Sequence, residues 1–324
     1  SQRVSPGDLF VCISGIPGYQ VDRHPYAKDA VRAGAVAVVA ERGVDVHDVP
    51  VIFVKNSRHA LAVLCAHFYG YPSSELKLIG VTGTNGKTTT SHMIEAIFRY
   101  AGHKTGLMGN IGTKIGDTLY KTDINTQEPP VLQANLRRMA DAGCAYAVME
   151  VTSQGIDAGR VIGCDFRTAV FTNVTQDHLD YHGTMDNYIA AKGLFFSRLG
   201  NGFHADPKTR KFAVLNADDQ ASAVFQKLTA AHVLTYGIRE EADVRAEDIR
   251  LSARGTTFRV VTYKGTSEMR IGMVGTFNVY NALAAIATGL VEGLTLETIR
   301  DGLASLPGVP GRLEMVDEGQ PFPV

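Results

Sequence analysis

The sequence has no long hydrophobic run, almost no net charge and few cysteines. Its apolar stretches fall short of the about 20 residues that a membrane helix requires, and no signal peptide precedes Ser1, so we expect no membrane insertion. The net charge is −1, which gives no global basic surface for nucleic acid. The four cysteines are scattered without disulfide or metal spacing, which is typical of buried thiols in a reducing cytoplasm.

What is present is an α/β pattern in two units. Residues 1–74 alternate short strands and helices and end in the turn sequence YPSS, which predicts a domain boundary. Residues 75–306 continue the alternation, which predicts a mostly parallel sheet. Two apolar runs at 256–263 and 268–273, joined by KGT, predict an antiparallel hairpin within this unit. Residues 307–324 begin with PGVPG and are interpreted as a linker.

The stretch LKLIGVTGTNGKTTT, from Leu76 to Thr90, predicts a phosphate-binding loop. A buried strand is followed by a loop with two glycines and by a helix that starts at Lys87. Loop N–H groups and the helix N-terminus bind phosphate oxygens, Lys87 reaches the terminal phosphates, and the Thr88 hydroxyl can ligate magnesium. The general pattern G-x-x-x-x-G-K-[ST] would need glycine at Val81, so a glycine turn before an ordinary surface helix is the alternative.

Two further segments follow predicted strands and carry reactive groups. Glu150 ends an apolar strand, where it could face magnesium, or could be an ordinary strand-end carboxylate. The loop TNVTQDHLDYHG at 172–183 concentrates Asp, His and Asn, which favours metal or phosphate binding, although a capping role for His178 is an equal alternative. Lys192 lies on the helix behind this loop and could point back at it, although a lysine on an amphipathic helix usually faces solvent.

Asn278 and Asn281 are three residues apart on one face of a predicted helix. Paired amides at a helix start can hydrogen-bond the edge of a purine. Asn278 could equally be the N-cap of that helix.

Six motifs occur in an order and with gaps that resemble one family. They are TGTNGKTTT, MEVTSQGIDAGRV, FTNVTQDHLDYHGTMDNYIAAK, LNADD, GTFNVYNALAAIA and LPGVPGRLE. Together they resemble the Mur ligases, ATP-dependent enzymes that form amide bonds in peptidoglycan synthesis. The run DHLDYHGTM followed by AAK is similar to the members that add the third amino acid to UDP-N-acetylmuramoyl-L-Ala-D-Glu. The runs SQRVSPGDLFVCISG and GAVAVVAE resemble the UDP-binding domain of those members.

The resemblance implies a cytoplasmic, monomeric ligase that uses ATP, two magnesium ions, a UDP-muramoyl-peptide and an amino acid. It implies that Lys87, Glu150, His178 and Lys192 serve catalysis, with Thr88, Glu150, His178 and a carbamylated Lys192 at the metal sites. The implied ATP-binding residues are Gly83, Thr84, Asn85, Gly86, Lys87, Thr88, Thr89, Asn278, Asn281 and Arg312. The implied acceptor-binding residues are Ser1, Asn125, Thr126, Thr152, Ser153 and Arg160.

The acceptor side departs from the family pattern. The family usually has E-V-S-S-H where this chain has EVTSQ, so Gln154 replaces histidine. It usually has N-T-T-P-E where this chain has NTQEP, which introduces Gln127. Near the start, the usual S-R is Ser1-Gln2. A related ligase for another carboxylate acceptor is therefore one alternative. A non-catalytic nucleotide-binding partner is less favoured because the reactive residues are kept, and a generic P-loop GTPase or kinase gives the loop 172–183 no role.

The ends of the sequence indicate a fragment. The chain starts without Met and stops at PFPV with no closing element. The family continues with a third, Rossmann-like domain that carries the amino-acid site. We therefore expect this domain to be absent and the fragment to be inactive alone.

Overall fold

The first part of the chain forms a small parallel sheet covered by helices. The computed structural model describes residues 4–122, 124–202, 206 and 209–312. In the small sheet the strand order follows the chain, and every pair is parallel. Its elements are β1 (Leu9–Val11), α1 (Ala27–Arg32), β2 (Ala37–Ala40), β3 (Val51–Phe53) and α2 (Ser57–Phe68).

The rest of the described chain forms one sheet of eleven strands. Its strands are β4 (Lys77–Thr82), β5 (Thr105–Met108), β6 (Thr113–Ile115), β7 (Thr118–Tyr120), β8 (Tyr146–Glu150), β9 (Phe166–Phe171), β10 (Phe212–Asn216), β11 (His232–Gly237), β12 (Val244–Ser252), β13 (Gly255–Thr262) and β14 (Gly265–Ile271). Their spatial order is β14-β13-β12-β11-β10-β9-β4-β8-β5-β6-β7. Strands from β12 to β5 in this order are parallel, and both ends of the sheet are antiparallel.

Helices cover both faces of the large sheet. They are α3 (Lys87–Tyr100), α4 (Pro129–Asp141), α5 (Ser153–Asp157), α6 (Leu179–His182), α7 (Met185–Ser197), α8 (Ala221–Leu228), α9 (Thr276–Val291) and α10 (Leu296–Ala304). Side chains of α3, α9 and α10 form one core with β4 residues Ile79 and Val81. Side chains of α4, α7 and α8 form the other core with Leu78 of the same strand. Successive residues of a strand point to opposite faces, so a strand covered on both faces is apolar throughout.

The predicted fold class is confirmed, with two differences in detail. The hairpin of 256–263 and 268–273 is part of a three-stranded antiparallel extension, because β12 pairs with β13 in addition. Strands β5, β6 and β7 were not predicted, since they are only three or four residues long. The division at residue 74 stays a prediction, and Ser1 and most of the predicted linker lie outside the described residues. No helix in the described ranges is long and apolar enough to cross a membrane.

Candidate active site

The predicted phosphate loop joins β4, a central strand of the large sheet, to the N-terminus of α3. Gly83 and Gly86 have φ values of 150° and 86°, which side chains rarely adopt. Close neighbours also exclude a side chain at both positions. A Cβ added to Gly83 would lie 1.9 Å from Thr172 Oγ1, and a Cβ added to Gly86 would lie 2.3 Å from Asn281 Oδ1. Because β4 is flanked by parallel strands, the loop lies at the strand ends where ligands bind in such sheets.

Two lysines converge on one carbonyl of this loop. Lys87 Nζ donates to the carbonyl oxygens of Gly83 at 2.9 Å and Thr84 at 2.8 Å, and Lys192 Nζ donates to that of Gly83 at 3.1 Å. Burial lowers the pKa of Lys87, while Glu150 and Asp177 oppose this shift. The structure therefore places two amines of the predicted catalytic set at the same point.

Lys192 is buried rather than solvated. It is 1% exposed, and its Nζ lies 4.5 Å from the centre of the Tyr188 ring. The surface interpretation drawn from its spacing is wrong, because α7 packs between α5 and α8 and leaves this side chain facing the loop. Burial, reinforced by the charge of Lys87, holds the pKa of Lys192 well below its ordinary value.

Glu150 faces the phosphate loop, not solvent. Its strand β8 pairs with β4, and the side chain is 1% exposed. Oε1 accepts hydrogen bonds from Thr88 Oγ1 and from the N–H of Asn110, both at 2.9 Å. Oε2 is buried and has no partner among the described residues. A buried carboxylate oxygen without a donor is costly, so this one fits a cation.

His178 lies in the loop that follows β9 and is partly exposed. It has φ of 51°, its side chain is 40% exposed, and its Nε2 is 3.5 Å from Asp177 Oδ2. Within the part of the chain that the structure describes, no three His, Cys, Asp or Glu side chains are grouped closely enough to hold a metal ion. A magnesium ion keeps several waters and phosphate oxygens as ligands, so one carboxylate and one hydroxyl suffice for it.

Asn278 and Asn281 lie in the first turns of α9 and bond to the protein. Asn278 Nδ2 donates to the carbonyl of Val274, and Asn281 Nδ2 donates to Asn278 Oδ1 at 3.1 Å. Asn281 Oδ1 accepts from Thr90 Oγ1 at 3.2 Å. The N-cap of α9 is Gly275, so the N-cap interpretation of Asn278 is wrong.

One cavity of about 400 Å³ gathers nearly all predicted ATP-binding residues. Gly83 is the exception, lying behind the lining. Arg312 approaches closely enough to help lower the pKa of Lys87. The lining residues are Thr84, Asn85, Gly86, Lys87, Thr88, Thr89, Asn125, Glu150, Phe277, Asn278, Asn281, Gly311 and Arg312.

A second cavity, of about 520 Å³, adjoins the first and was not predicted. The two share Asn85, Gly86, Phe277 and Asn281 in their linings. Asp218 lies in its lining, and its carboxylate accepts from the Tyr280 hydroxyl at 2.6 Å and from the backbone N–H groups of three successive residues, 238–240. The motif LNADD, which contains Asp218 and Asp219, is the sequence signal for this cavity. The residues lining this cavity alone are Asn173, Asn216, Asp218, Asp219, Arg239 and Tyr280.

Three of the predicted acceptor-binding residues, Thr126, Thr152 and Ser153, lie at the end of β8. Thr126 Oγ1 donates to the carbonyl of Glu150 at 3.1 Å and accepts from the N–H of Thr152 at 2.9 Å. Thr152 caps α5, which carries Ser153. These contacts hold the segment beside the carboxylate of Glu150. Asn125 lines the cavity of about 400 Å³ together with Glu150, and Ser1 lies outside the described residues.

Arg160 is buried and already paired. Its guanidinium forms an ion pair with Glu128 at 2.8 Å and donates to the carbonyl of Thr126 at 3.1 Å. It also donates to the Tyr19 hydroxyl, which belongs to the N-terminal part of the chain, at 3.3 Å. Its Nε is buried and has no partner among the described residues. An anionic ligand would therefore meet the unpartnered Nε–H and a competing carboxylate.

The two glutamines that depart from the family pattern differ in their surroundings. Gln127 is 3% exposed, donates to Thr113 Oγ1 at 2.8 Å and accepts from Asn135 Nδ2 at 2.7 Å. These bonds point its amide into the protein, away from any acceptor. Gln154 is half-buried next to the Ser153 hydroxyl, at 3.3 Å. Gln154 is therefore the departure that lies within the candidate site.

This chain has a glycine loop between a parallel strand and a helix that starts with lysine. That arrangement is typical of the class of phosphate-binding α/β proteins. The sequence profile of the Mur ligase middle domain matches residues 81–289. The chain belongs to the Mur ligase family.

Relatives and solved structures agree with this assignment. The UDP-N-acetylmuramoyl-L-alanyl-D-glutamate–2,6-diaminopimelate ligase of Bacillus velezensis is 54% identical over 325 residues, covering 100% of this chain and 65% of its own length. A solved structure of a ligase with the same name has a TM-score of 0.84 at 28% identity and covers 97% of this chain and 63% of its own. MurF from Acinetobacter baumannii has a TM-score of 0.70 at 26% identity, with 98% and 64% covered. The chain thus spans less than two thirds of the length of these proteins.

Proposed function

We propose that this chain belongs to a MurE-type ligase, which adds the third amino acid to UDP-N-acetylmuramoyl-L-Ala-D-Glu with cleavage of ATP. The arrangement around Gly83 carries the proposal. Lys87 and Lys192 share its carbonyl oxygen, and Glu150 keeps an unpartnered buried oxygen beside Thr88. Such a set of fixed charges stabilises a phosphoryl group in transfer, where positioning and charge neutralisation dominate.

ATP would occupy the two adjoining cavities. Its phosphates would lie along the loop of residues 83–88, where the N-terminus of α3 and the ammonium of Lys87 favour anions. The nucleoside would lie on the far side of Asn281, a residue that lines both cavities. Asn278 supports this placement indirectly, since it holds the amide of Asn281.

Magnesium fits the oxygen donors of Thr88 and Glu150. A hydroxyl and a carboxylate are ligands that this ion prefers. When bound, magnesium would neutralise phosphate charge during transfer. We also retain a second site at His178 and Lys192 as part of the proposal.

The buried amine of Lys192 suits carbamylation. Addition of carbon dioxide requires a neutral amine, and burial lowers the pKa of Lys192 in that direction. The product would be an anion, which the nearby ammonium of Lys87 would stabilise. Nuclear magnetic resonance with ¹³C-labelled bicarbonate tests this, since a carbamate carbon should appear in the wild type and be absent in Lys192→Met.

The reaction would proceed in two displacements. The D-Glu side-chain carboxylate would attack the terminal phosphorus of ATP, with ADP leaving, to give an acyl phosphate. The amine of the incoming amino acid would then attack the acyl carbon, and phosphate would leave as the amine loses its proton. In the first step, the ammonium of Lys87 would neutralise negative charge on the phosphoryl group that is transferred. Thr126, Thr152 and Ser153 would orient the acceptor.

The complete protein tests the proposal directly. Phosphate release should require ATP, UDP-N-acetylmuramoyl-L-Ala-D-Glu and an amino acid together. The names of the relatives make 2,6-diaminopimelate the first amino acid to assay. Release with a different carboxylate acceptor would favour the related ligase suggested by Gln154, and ATP binding without release would favour a non-catalytic protein.

Lys87→Ala tests the phosphate loop. We expect loss of measurable ATP binding by calorimetry with saturating magnesium, because the ammonium of Lys87 is held at two carbonyls of this loop. Lys28→Ala, which removes an exposed lysine paired with Asp45, should leave ATP affinity unchanged. Equal ATP affinity of the wild type, Lys87→Ala and Lys28→Ala would contradict the assignment of residues 83–88 as the phosphate loop.

A further inference from the structure

A buried histidine in the loop 172–183 has no role in the proposed reaction so far. His182 ends α6, is 8% exposed, and places its Nε2 2.9 Å from Ser153 Oγ. We propose that His182 is a positioning residue that directs the Ser153 hydroxyl toward the acceptor. This inference rests on the proposed function, in which Ser153 contacts the acceptor.

The surroundings of His182 hold its ring in one place. Its centre lies 4.7 Å from that of Tyr181 and 5.1 Å from that of Tyr188. Asn187 Nδ2 donates to the His182 carbonyl at 3.0 Å. Burial lowers the pKa of His182, helped by Lys192 and His178 and opposed by Asp157 and Asp180. A neutral imidazole has one donor nitrogen and one acceptor nitrogen.

The direction of the Ser153 proton follows from its neighbours. Ser153 Oγ lies 3.3 Å from Gln154 Oε1, an oxygen that can only accept. Ser153 has a single proton, so it can donate to Gln154 or to an acceptor carboxylate only if His182 Nε2 is the donor in their contact. In the required arrangement, His182 Nε2–H donates to Ser153 Oγ, and the Ser153 hydroxyl donates to the acceptor carboxylate. Before the acceptor binds, the Ser153 hydroxyl donates to Gln154 Oε1 instead.

Tyr188 ties this chain to the phosphate loop. Its ring packs on His182 and lies 4.5 Å from Lys192 Nζ. Its hydroxyl lies 3.0 Å from Thr84 Oγ1. One buried side chain therefore sets the distance between the acceptor-side hydroxyl and the phosphate-side lysine, which is what a reaction between the two substrates needs.

A double-mutant cycle in the complete protein tests the inference. His182→Leu should raise the KM for UDP-N-acetylmuramoyl-L-Ala-D-Glu about tenfold, the loss of one hydrogen bond to a charged group, and leave the KM for ATP unchanged. In a Ser153→Ala background the same change should add nothing further. His182→Gln, which keeps an N–H donor, should have a KM close to that of the wild type. The exposed His67→Leu should leave the KM unchanged. Additive effects of His182→Leu and Ser153→Ala would overturn the inference.

The tautomer of His182 gives a test without the acceptor. In ¹⁵N spectra of the wild-type chain, His182 should carry its proton on Nε2, and Ser153→Ala should shift that signal. A proton on Nδ1 with a bare Nε2 would overturn the inference, whether or not His182→Leu folds. If the acceptor fails to bind the wild type, the proposed function fails, and the tautomer still decides the role of His182.

Discussion

Gly86→Ala should damage the protein far more than the same change at the other end of the same helix. Gly86 precedes α3 with φ of 86°, and Gly102 follows α3 with φ of 85°. An alanine in this left-handed region costs about 1–2 kcal/mol at either position. A Cβ at Gly102 meets nothing within 4 Å, whereas one at Gly86 lies 2.3 Å from Asn281 Oδ1. The two substitutions therefore share the backbone strain and differ in the contact.

The contact should add a measurable cost at Gly86. Asn281 must rotate, which breaks its bonds to Thr90 Oγ1 and Asn278 Oδ1. Both partners are buried, so each broken bond costs about 1–2 kcal/mol. Gly86→Ala should thus lower the free energy of unfolding by about 2–4 kcal/mol more than Gly102→Ala. It should also weaken ATP binding, because Asn281 and Gly86 line the same cavity.

Urea unfolding followed by circular dichroism compares the two variants, and calorimetry gives their affinity for ATP. Gly102→Ala should keep the ATP affinity of the wild type. Equal losses of stability in the two variants, or wild-type ATP affinity in Gly86→Ala, would refute the argument that Asn281 excludes a side chain from this loop.

Two further substitutions test buried charges. Lys192→Met, compared with the wild type in buffer free of carbon dioxide, should be the more stable protein at pH 7, because burial lowers the folded-state pKa of Lys192 below the ordinary 10.5. Between the folded-state and unfolded-state pKa values, the unfolded chain binds more protons, so the stability of the wild type rises with pH. The difference in free energy of unfolding between the two proteins, measured by denaturant melts, should therefore shrink toward pH 10.5. A difference that grows with pH would contradict the lowered pKa of Lys192. Glu292→Ala should cost about 3 kcal/mol in the same melts, since it leaves Arg167 and Lys77 without the fully buried carboxylate that each contacts at 3.0 Å. Because half-exposed Lys77 can turn to water, Lys77→Ala should cost less, and the reverse order would be inconsistent with this network.

Much of the phosphate loop follows from the sequence alone. Glycine conformations, the preceding apolar strand and the lysine at the helix start are local properties, so a fifteen-residue stretch predicted the strand, the loop and the helix that the structure has. The alternation of strands and helices predicted the parallel sheet for the same reason. The sequence also predicted that Glu150 lies at the end of a strand. It did not predict the direction of the Glu150 side chain.

Tertiary structure decided which side chains meet. Lys192 is far from Gly83 in sequence, and its burial depends on how α7 packs, so spacing gave the wrong environment. Gln127 bonds inward to Thr113 and Asn135, although its motif placed it on the acceptor side. The contact of His182 with Ser153 joins two short helices that follow different strands. Local patterns fix the conformation of a segment, whereas long-range contacts depend on the packing of the whole sheet and its helices, and these contacts set the charge and hydrogen bonding of the site.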